Sequence, residues 1–202
     1  MANNKLLFHL QEDLALHIEW INSVGASGKQ LILDDQSFEG IDLSGRDLRE
    51  AVLTGIRFDN ANFYGADLSR ANLCASSFKA ADLRNANLTK CELDEALLEN
   101  ANLVSSTAAR ASFYEARLSQ ADFSNADLRG TFFAKANLSG VDFSGSDLSN
   151  ANLEGAKLRG IKLKGAKGIN TIKASWVDIG NDEQPEILSG DDLFIWLDSL
   201  AC

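Results

Sequence analysis

Leucine or phenylalanine stands at every fifth position from Phe38 to Leu163 except at Ala108, and mostly small or polar residues fill the intervals. Of the 26 central positions between Gln36 and Gly165, 17 are Leu, eight are Phe and one is Ala108; 15 of the 26 positions two residues earlier are Ala. A period of five matches neither the 3.6 of a helix nor the 2.0 of a strand. It describes a backbone that turns one small and one large side chain inward, leaves three outside, and repeats. Such units cannot bury an apolar side alone, so they stack into a solenoid whose middle is filled by the large residues.

The flanks follow a different rule. Between Leu6 and Val24 the apolar residues Leu7, Leu10, Leu14, Ile18 and Ile21 fall three and four apart, which predicts an amphipathic helix stopped by Gly25 and Gly28. Leu31, Ile32 and Leu33 then lead into the first coil. At the other end the register fails at Gly168. Ser189-Gly190-Asp191-Asp192 reads as a helix start, and Leu193, Trp196, Leu197 and Leu200 follow at helical spacing. Both ends therefore read as covers for the open edges of a stack.

Segments such as Ala61-Asn62-Phe63-Tyr64-Gly65, Ala66-Asp67-Leu68-Ser69-Arg70 and Ala136-Asn137-Leu138-Ser139-Gly140 resemble the A(D/N)LXX unit of the pentapeptide-repeat family. The resemblance covers about two-thirds of the chain. It implies an all-β solenoid, a right-handed quadrilateral β-helix of four pentapeptides per coil, here with helical caps at both ends. The expected division is residues 1–30 for the first cap, 31–170 for the β-helix and 171–202 for the second cap. At a coil rise of ~4.8 Å the shaft is roughly 30 Å tall. The surroundings of His17, Trp20, Gly25 and Gly28, and of Trp176 to Gly180, resemble flanks of some bacterial members more weakly, and no function follows from them.

Charge narrows the partners. The 29 acidic and 19 basic residues give −10, so direct nucleic-acid binding is disfavoured. No apolar run reaches the roughly 18–20 residues of a bilayer span, and the first residues lack the basic start and cleavage site of a secretory signal. A cytoplasmic location with no membrane contact is the expectation. Cys74, Cys91 and Cys202 form no C-x-x-C pair and are expected as free thiols, Cys91 inward and Cys74 exposed.

Catalytic chemistry finds little footing. His9 and His17 are eight apart on one helix, about 12 Å, too far to share a metal, and a surface or cap-packing role is expected. No phosphate-binding glycine loop, nucleophile elbow or zinc-binding H-E-x-x-H occurs. The aspartates one residue before the central position, such as Asp67 and Asp127, alternate with Asn62 and Asn137. They read as the repeat's polar position, solvated or bonded to neighbouring coils, and not as a calcium ladder. The sequence thus predicts no enzyme, no cofactor and no metal.

Some pentapeptide-repeat proteins protect DNA gyrase or topoisomerase IV as acidic mimics of DNA, and the resemblance makes a binder of these enzymes that confers drug or toxin protection the alternative function. Residues 36–165 carry only −2, against −3 before and −5 after, so the charge lies mainly in the caps. Dealing the pentapeptides to four faces gives +2, −1, +1 and −4. The acidic face carries Glu92, Asp94, Glu95, Glu115 and Glu154 against Lys135, with two aromatic residues expected outside, Tyr114 and Phe132. Glu92, Asp94, Glu95, Tyr114, Glu115 and Phe132 form the candidate partner surface. The expected function is a rigid, non-enzymatic protein-interaction scaffold of bacterial origin whose partner is unidentified. The C-terminal stripe at residues 193–200 either folds onto the last coil or pairs with its copy in a homodimer. The coil at Ala108 is either bulged or, as favoured here, regular with a void between Leu88 and Leu128.

Overall fold

The computed structural model describes residues 2–181 and 183–201, with side chains from His9 onward; Cys202 and the side chain of Leu7 lie outside the described residues. One pairing rule generates the shaft. The residue before each central position bridges in parallel to the residue 20 later, from Ser37 with Arg57 to Asp147 with Lys167. Twenty residues are four pentapeptides, so the coil is four-sided and each face repeats every 20 residues.

The hydrogen bonds explain why five residues make one side. Leu43 donates its N–H to the Asn62 carbonyl of the next coil, and Asn62 donates to the Ile41 carbonyl of the previous one, each at 2.8 Å. Gly45 donates to the Tyr64 carbonyl at the corner, and Arg46 closes a four-residue turn onto the Leu43 carbonyl at 3.2 Å. The turn recurs at each corner with positive φ only at its third residue, the type II pattern, and at Gly55 the Ser76 hydroxyl bridges Leu53 and Ile56 in place of the closing bond. All 26 corner residues from Gly40 to Gly165 have φ between 54° and 72°. A turn every five residues leaves one residue per side to pair, which is why, among the described residues of the shaft, extended strands occur only at β1 (Ile32–Asp34) and β2 (Val52–Thr54).

All 26 central side chains are buried, and rings one coil apart stack, as in Phe58 on Phe78 at 5.3 Å and Phe113 on Phe133 at 5.1 Å. Each such side chain contributes about 1.5–3 kcal/mol of burial, largely offset by backbone ordering. The Ala108 coil is regular: Thr107 bridges both Asn87 and Asp127, and Ala108 donates to the Asp127 carbonyl at 2.8 Å.

Helix α1 (Ala2–Asn22) covers the first coil, with Leu10, Leu14 and His17 buried and Trp20 and Ile21 half-buried. The buried stripe passes through His17, and Ile18 is exposed, contrary to the sequence expectation. One residue is about 100° of helical rotation, and the imidazole takes the inner position because its Nδ1 accepts the Leu31 N–H. After α1 the chain doubles back so closely that a Cβ on Gly28 would lie 2.3 Å from the Leu16 carbonyl oxygen.

At the far end Gly168 and a 3-10 turn (Ile169–Thr171) insert one residue, so Asn152 pairs with Lys173 and Lys157 with Asp178, 21 apart. A Cβ on Gly168 would lie 2.4 Å from the Ser149 nitrogen, so a side chain cannot enter there. The hairpin of β3 (Trp176–Asp178) and β4 (Ile187–Ser189), absent from the sequence reading, then leads to α2 (Gly190–Ala201). Leu193 and Leu197 are fully buried within the chain, so the inner part of that stripe folds down onto its own molecule.

Candidate partner surface

One face of the shaft gathers the side chains singled out above, because positions 20 residues apart share a column. Ser112 bridges Glu92 on one side and Phe132 on the other, which sets Tyr114 one coil above Asp94 and Glu115 one coil below Lys135. The Tyr114 and Phe132 rings stack at 6.1 Å with 24° between their planes. Lys135 lies 5.1 Å over the Tyr114 ring, with its Nζ 2.8 Å from the phenol oxygen and 3.1 Å from Glu115 Oε1. Hydrogen bonding to Tyr114 and then to Lys135 holds the Glu115 carboxyl below its ordinary range, and hydrogen bonding to Tyr114 and then to Glu115 raises the Lys135 ammonium. Phe132 nevertheless remains exposed, an unusual state for a large aromatic side chain.

The acidic residues are not equivalent. Asp94 accepts the Tyr114 N–H at 3.1 Å and the Ser112 hydroxyl, so it is a brace between coils. Glu92 and Glu95 are exposed beside it. Trp176 extends the patch and was missed in the sequence, because its place depends on the residue inserted after Gly168. Its ring and Lys135 meet over Gly155: a Cβ there would lie 3.1 Å from the indole and 3.6 Å from Lys135 Cγ. The visible signal was the break in register itself.

Elsewhere the polar positions serve the backbone. Asp67 Oδ1 accepts the Ser69 N–H at 2.9 Å and Asp127 Oδ1 the Arg129 N–H at 3.2 Å, each two residues on. Fourteen Asp and Asn side chains bond in this way, satisfying the N–H that the ladder leaves free. The bond within the pentapeptide is thus the rule, and bonds between coils, such as Asn87 to Asp67 at 3.0 Å, are additional. Cys91 is buried and donates its thiol to the Ala71 carbonyl at 3.2 Å, and burial pushes its pKa well up. Cys74, expected outside, is half-buried, and burial raises its thiol too. Neither is an activated nucleophile.

A four-sided coil with Asp or Asn beside 14 of its 26 central residues has the form of the pentapeptide-repeat class, and the family model described as "Pentapeptide repeats" matches in eight copies across residues 37–74, 66–103, 76–111, 91–130, 109–145 and 126–165. The chain belongs to the pentapeptide-repeat family. Among solved structures it is similar to HetL, a pentapeptide repeat protein involved in heterocyst differentiation regulation from the cyanobacterium Nostoc sp. strain PCC 7120: 32% identity, 78% of this chain and 75% of that one covered, TM-score 0.43. It is also similar to a pentapeptide repeat protein of the Arabidopsis thaliana thylakoid lumen: 23% identity, 83% and 77% covered, TM-score 0.40. A third is QnrB1, a plasmid-mediated fluoroquinolone resistance protein: 20% identity, 86% and 97% covered, TM-score 0.42. No curated protein matches. Among the described residues no helix is long and apolar enough to cross a membrane.

Proposed function

We propose that this chain is a non-enzymatic protein-interaction scaffold, a right-handed quadrilateral β-helix acting in the cytoplasm of a bacterium, whose contact surface is the face bearing Tyr114, Phe132 and their acidic neighbours. The stacked Tyr114–Phe132 pair carries this reading. It is an aromatic anchor held in place by Lys135 before any partner arrives, and it is ringed by Glu92, Glu95 and Glu115. Preorganised aromatic side chains with a polar rim are the usual centres of binding energy at protein interfaces. The shaft contributes stiffness, because each coil is bonded to the next along all four sides.

Tyr114→Ala combined with Phe132→Ala tests it. The variant is expected to melt within a few degrees of the wild type and to retain its specific protein partner at least tenfold less in quantitative affinity capture. Unchanged capture overturns the reading. The DNA-mimic alternative makes a different demand, inhibition of gyrase supercoiling or protection from quinolone at micromolar protein. The shaft's near-neutral sum and single acidic face lead us to expect neither. Pairing of two copies at the C-terminal end would use the exposed Ile187 and Ile195 with the half-buried Phe194, Trp196 and Leu200, since Leu193 and Leu197 are covered. Light scattering of Ile195→Asp against the wild type measures it.

A further inference from the structure

A second surface lies on a different face, where the end of α1 overhangs the shaft. There Trp20, Ile21, Val24 and Gly25 form one wall of a groove of about 550 Å³, and Arg49, Arg70 and Lys90 stand on the opposite wall and floor with Glu50, Ser69 and Thr89. The two walls differ in chemistry. Val24 is 93% exposed, a large apolar side chain held in water at the tip of the overhang. Gly25 packs beside the indole edge, since a Cβ there would lie 3.4 Å from Trp20 Nε1.

The other wall is cationic. Arg70, Lys90 and Arg110 occupy successive corners of one edge, each pair 20 residues and so one coil apart, with a rise of ~4.8 Å. Arg49 is held by Asp47 in a two-pronged pair at 2.8 and 2.6 Å, and Arg70 reaches Glu50 at 3.5 Å. Lys90 and Arg110 are exposed and have no ion-pair partner among the described residues. Within a chain of −10, this is an edge where unpaired positive charge adjoins exposed apolar surface.

We propose that this groove docks an acidic peptide segment of a partner protein, with an apolar side chain set against Val24, Ile21 and the Trp20 ring and carboxylates along Arg70, Lys90 and Arg110. Charge complementarity selects the acidic segment. The apolar wall selects a peptide over a nucleic acid, because a phosphate backbone has nothing to place against Val24 and is repelled by the molecule as a whole. The site is separate from the Tyr114–Phe132 face and does not depend on its role.

The probe is a fluorescein-labelled peptide in which two glutamates stand on each side of a leucine–phenylalanine pair, followed by fluorescence anisotropy. Binding at about 100 μM or tighter in low salt, weakening as salt is raised, is the expected result. Arg70→Glu with Lys90→Glu should weaken it at least tenfold, and Val24→Asp about threefold, both with unchanged melting because all three side chains are exposed. Tyr114→Ala with Phe132→Ala should leave it unchanged, so failure here and failure of the scaffold reading are distinguishable. The proposal is overturned by absence of binding at about 1 mM peptide, by equal affinity in the groove variants, or by equal affinity for the lysine-for-glutamate peptide, a short DNA duplex or anionic lipid vesicles.

Discussion

The Nδ1 atom of His17 accepts the backbone N–H of Leu31 at 3.0 Å, joining the middle of α1 to the residue that enters the first coil. The acceptor role places the ring proton on Nε2, which is buried and makes no well-aligned hydrogen bond, with the Arg49 backbone its nearest polar neighbour. The ring also stacks on Trp20 at 5.9 Å. Burial lowers the imidazole pKa, outweighing the nearby Asp47 carboxylate, which raises it. A folded pKa below the unfolded value means that stability is complete above about pH 6.5 and declines as pH falls below it. The cap should therefore loosen as pH falls below about 6.5, read as a falling melting temperature. His17→Asn keeps an acceptor at the δ position and removes the titration. It should be less stable at pH 8 and flat over this range, and an equally steep profile in the variant would assign the transition to other groups.

Asp127 illustrates why the polar position of the repeat is Asp or Asn. Its Oδ1 accepts the Arg129 N–H, and its two oxygens hold the Arg129 guanidinium at 2.8 and 2.7 Å. Hydrogen bonding to that side chain first, then to the backbone, keeps the Asp127 carboxyl below its ordinary range. The stability it adds is present above about pH 4 and is lost as pH falls further. Asp127→Asn retains the backbone bond and removes only an exposed ion pair, so it should cost under about 0.5 kcal/mol. Asp127→Ala removes both and should cost about 1–2 kcal/mol by denaturant melting.

Two buried serines at the inward small position make an opposite pair. The Ser76 hydroxyl donates to the Leu53 carbonyl at 2.7 Å and accepts the Ile56 N–H at 3.0 Å, bridging a turn. Ser106 Oγ is buried with no partner, two residues before the small central side chain Ala108. Ser106→Ala should stabilise by about 0.5–1 kcal/mol, whereas Ser76→Ala should destabilise by about 1–3 kcal/mol. Ala108→Leu should keep the fold and raise the melting temperature, since the other interior residues of its coil are Leu98, Leu103 and Phe113 and no other coil of the shaft has an alanine at its centre. A clear loss of stability would show an interior already filled.

The column of Leu and Phe was legible because burial imposes a hydrophobic residue at each fifth position, whatever the outer residues do. Four sides per coil were not in the period; they came with the family resemblance, and the 20-residue bridges now show them. The left-handed corners were invisible, since residues such as Ala80, Lys90 and Glu115 carry no preference for positive φ and only the closed ladder imposes it. Assigning faces by counting placed Tyr114, Glu115, Phe132 and Lys135 together. Counting could not separate the exposed Glu95 from Asp94, whose carboxylate braces the next coil. It also loses Trp176 where the register slips, and it places Ile18 in the core because apolar spacing alone does not show that His17 takes the inner position to accept the Leu31 N–H.

The imposed corners lead to a last paired prediction. Ala80 sits at φ 54° and Gly65 at φ 63°, equivalent places in the same repeat. Nothing lies within 4 Å of a Cβ on Gly65, so Gly65→Ala tests backbone conformation without a collision. An L-residue in this region costs roughly 1–2 kcal/mol, which exceeds the smaller entropic penalty of glycine in the unfolded chain. Gly65→Ala should therefore lower stability by about 1 kcal/mol, and Ala80→Gly should raise it, read as opposite shifts in denaturant midpoint at constant slope. Sixteen of the 26 corners hold a residue other than glycine, so the ladder and the packed column together must outweigh that strain many times over. If Ala80→Gly instead destabilises, the cost of these corners is smaller than the entropy they remove, and the strain is not what limits the shaft's stability.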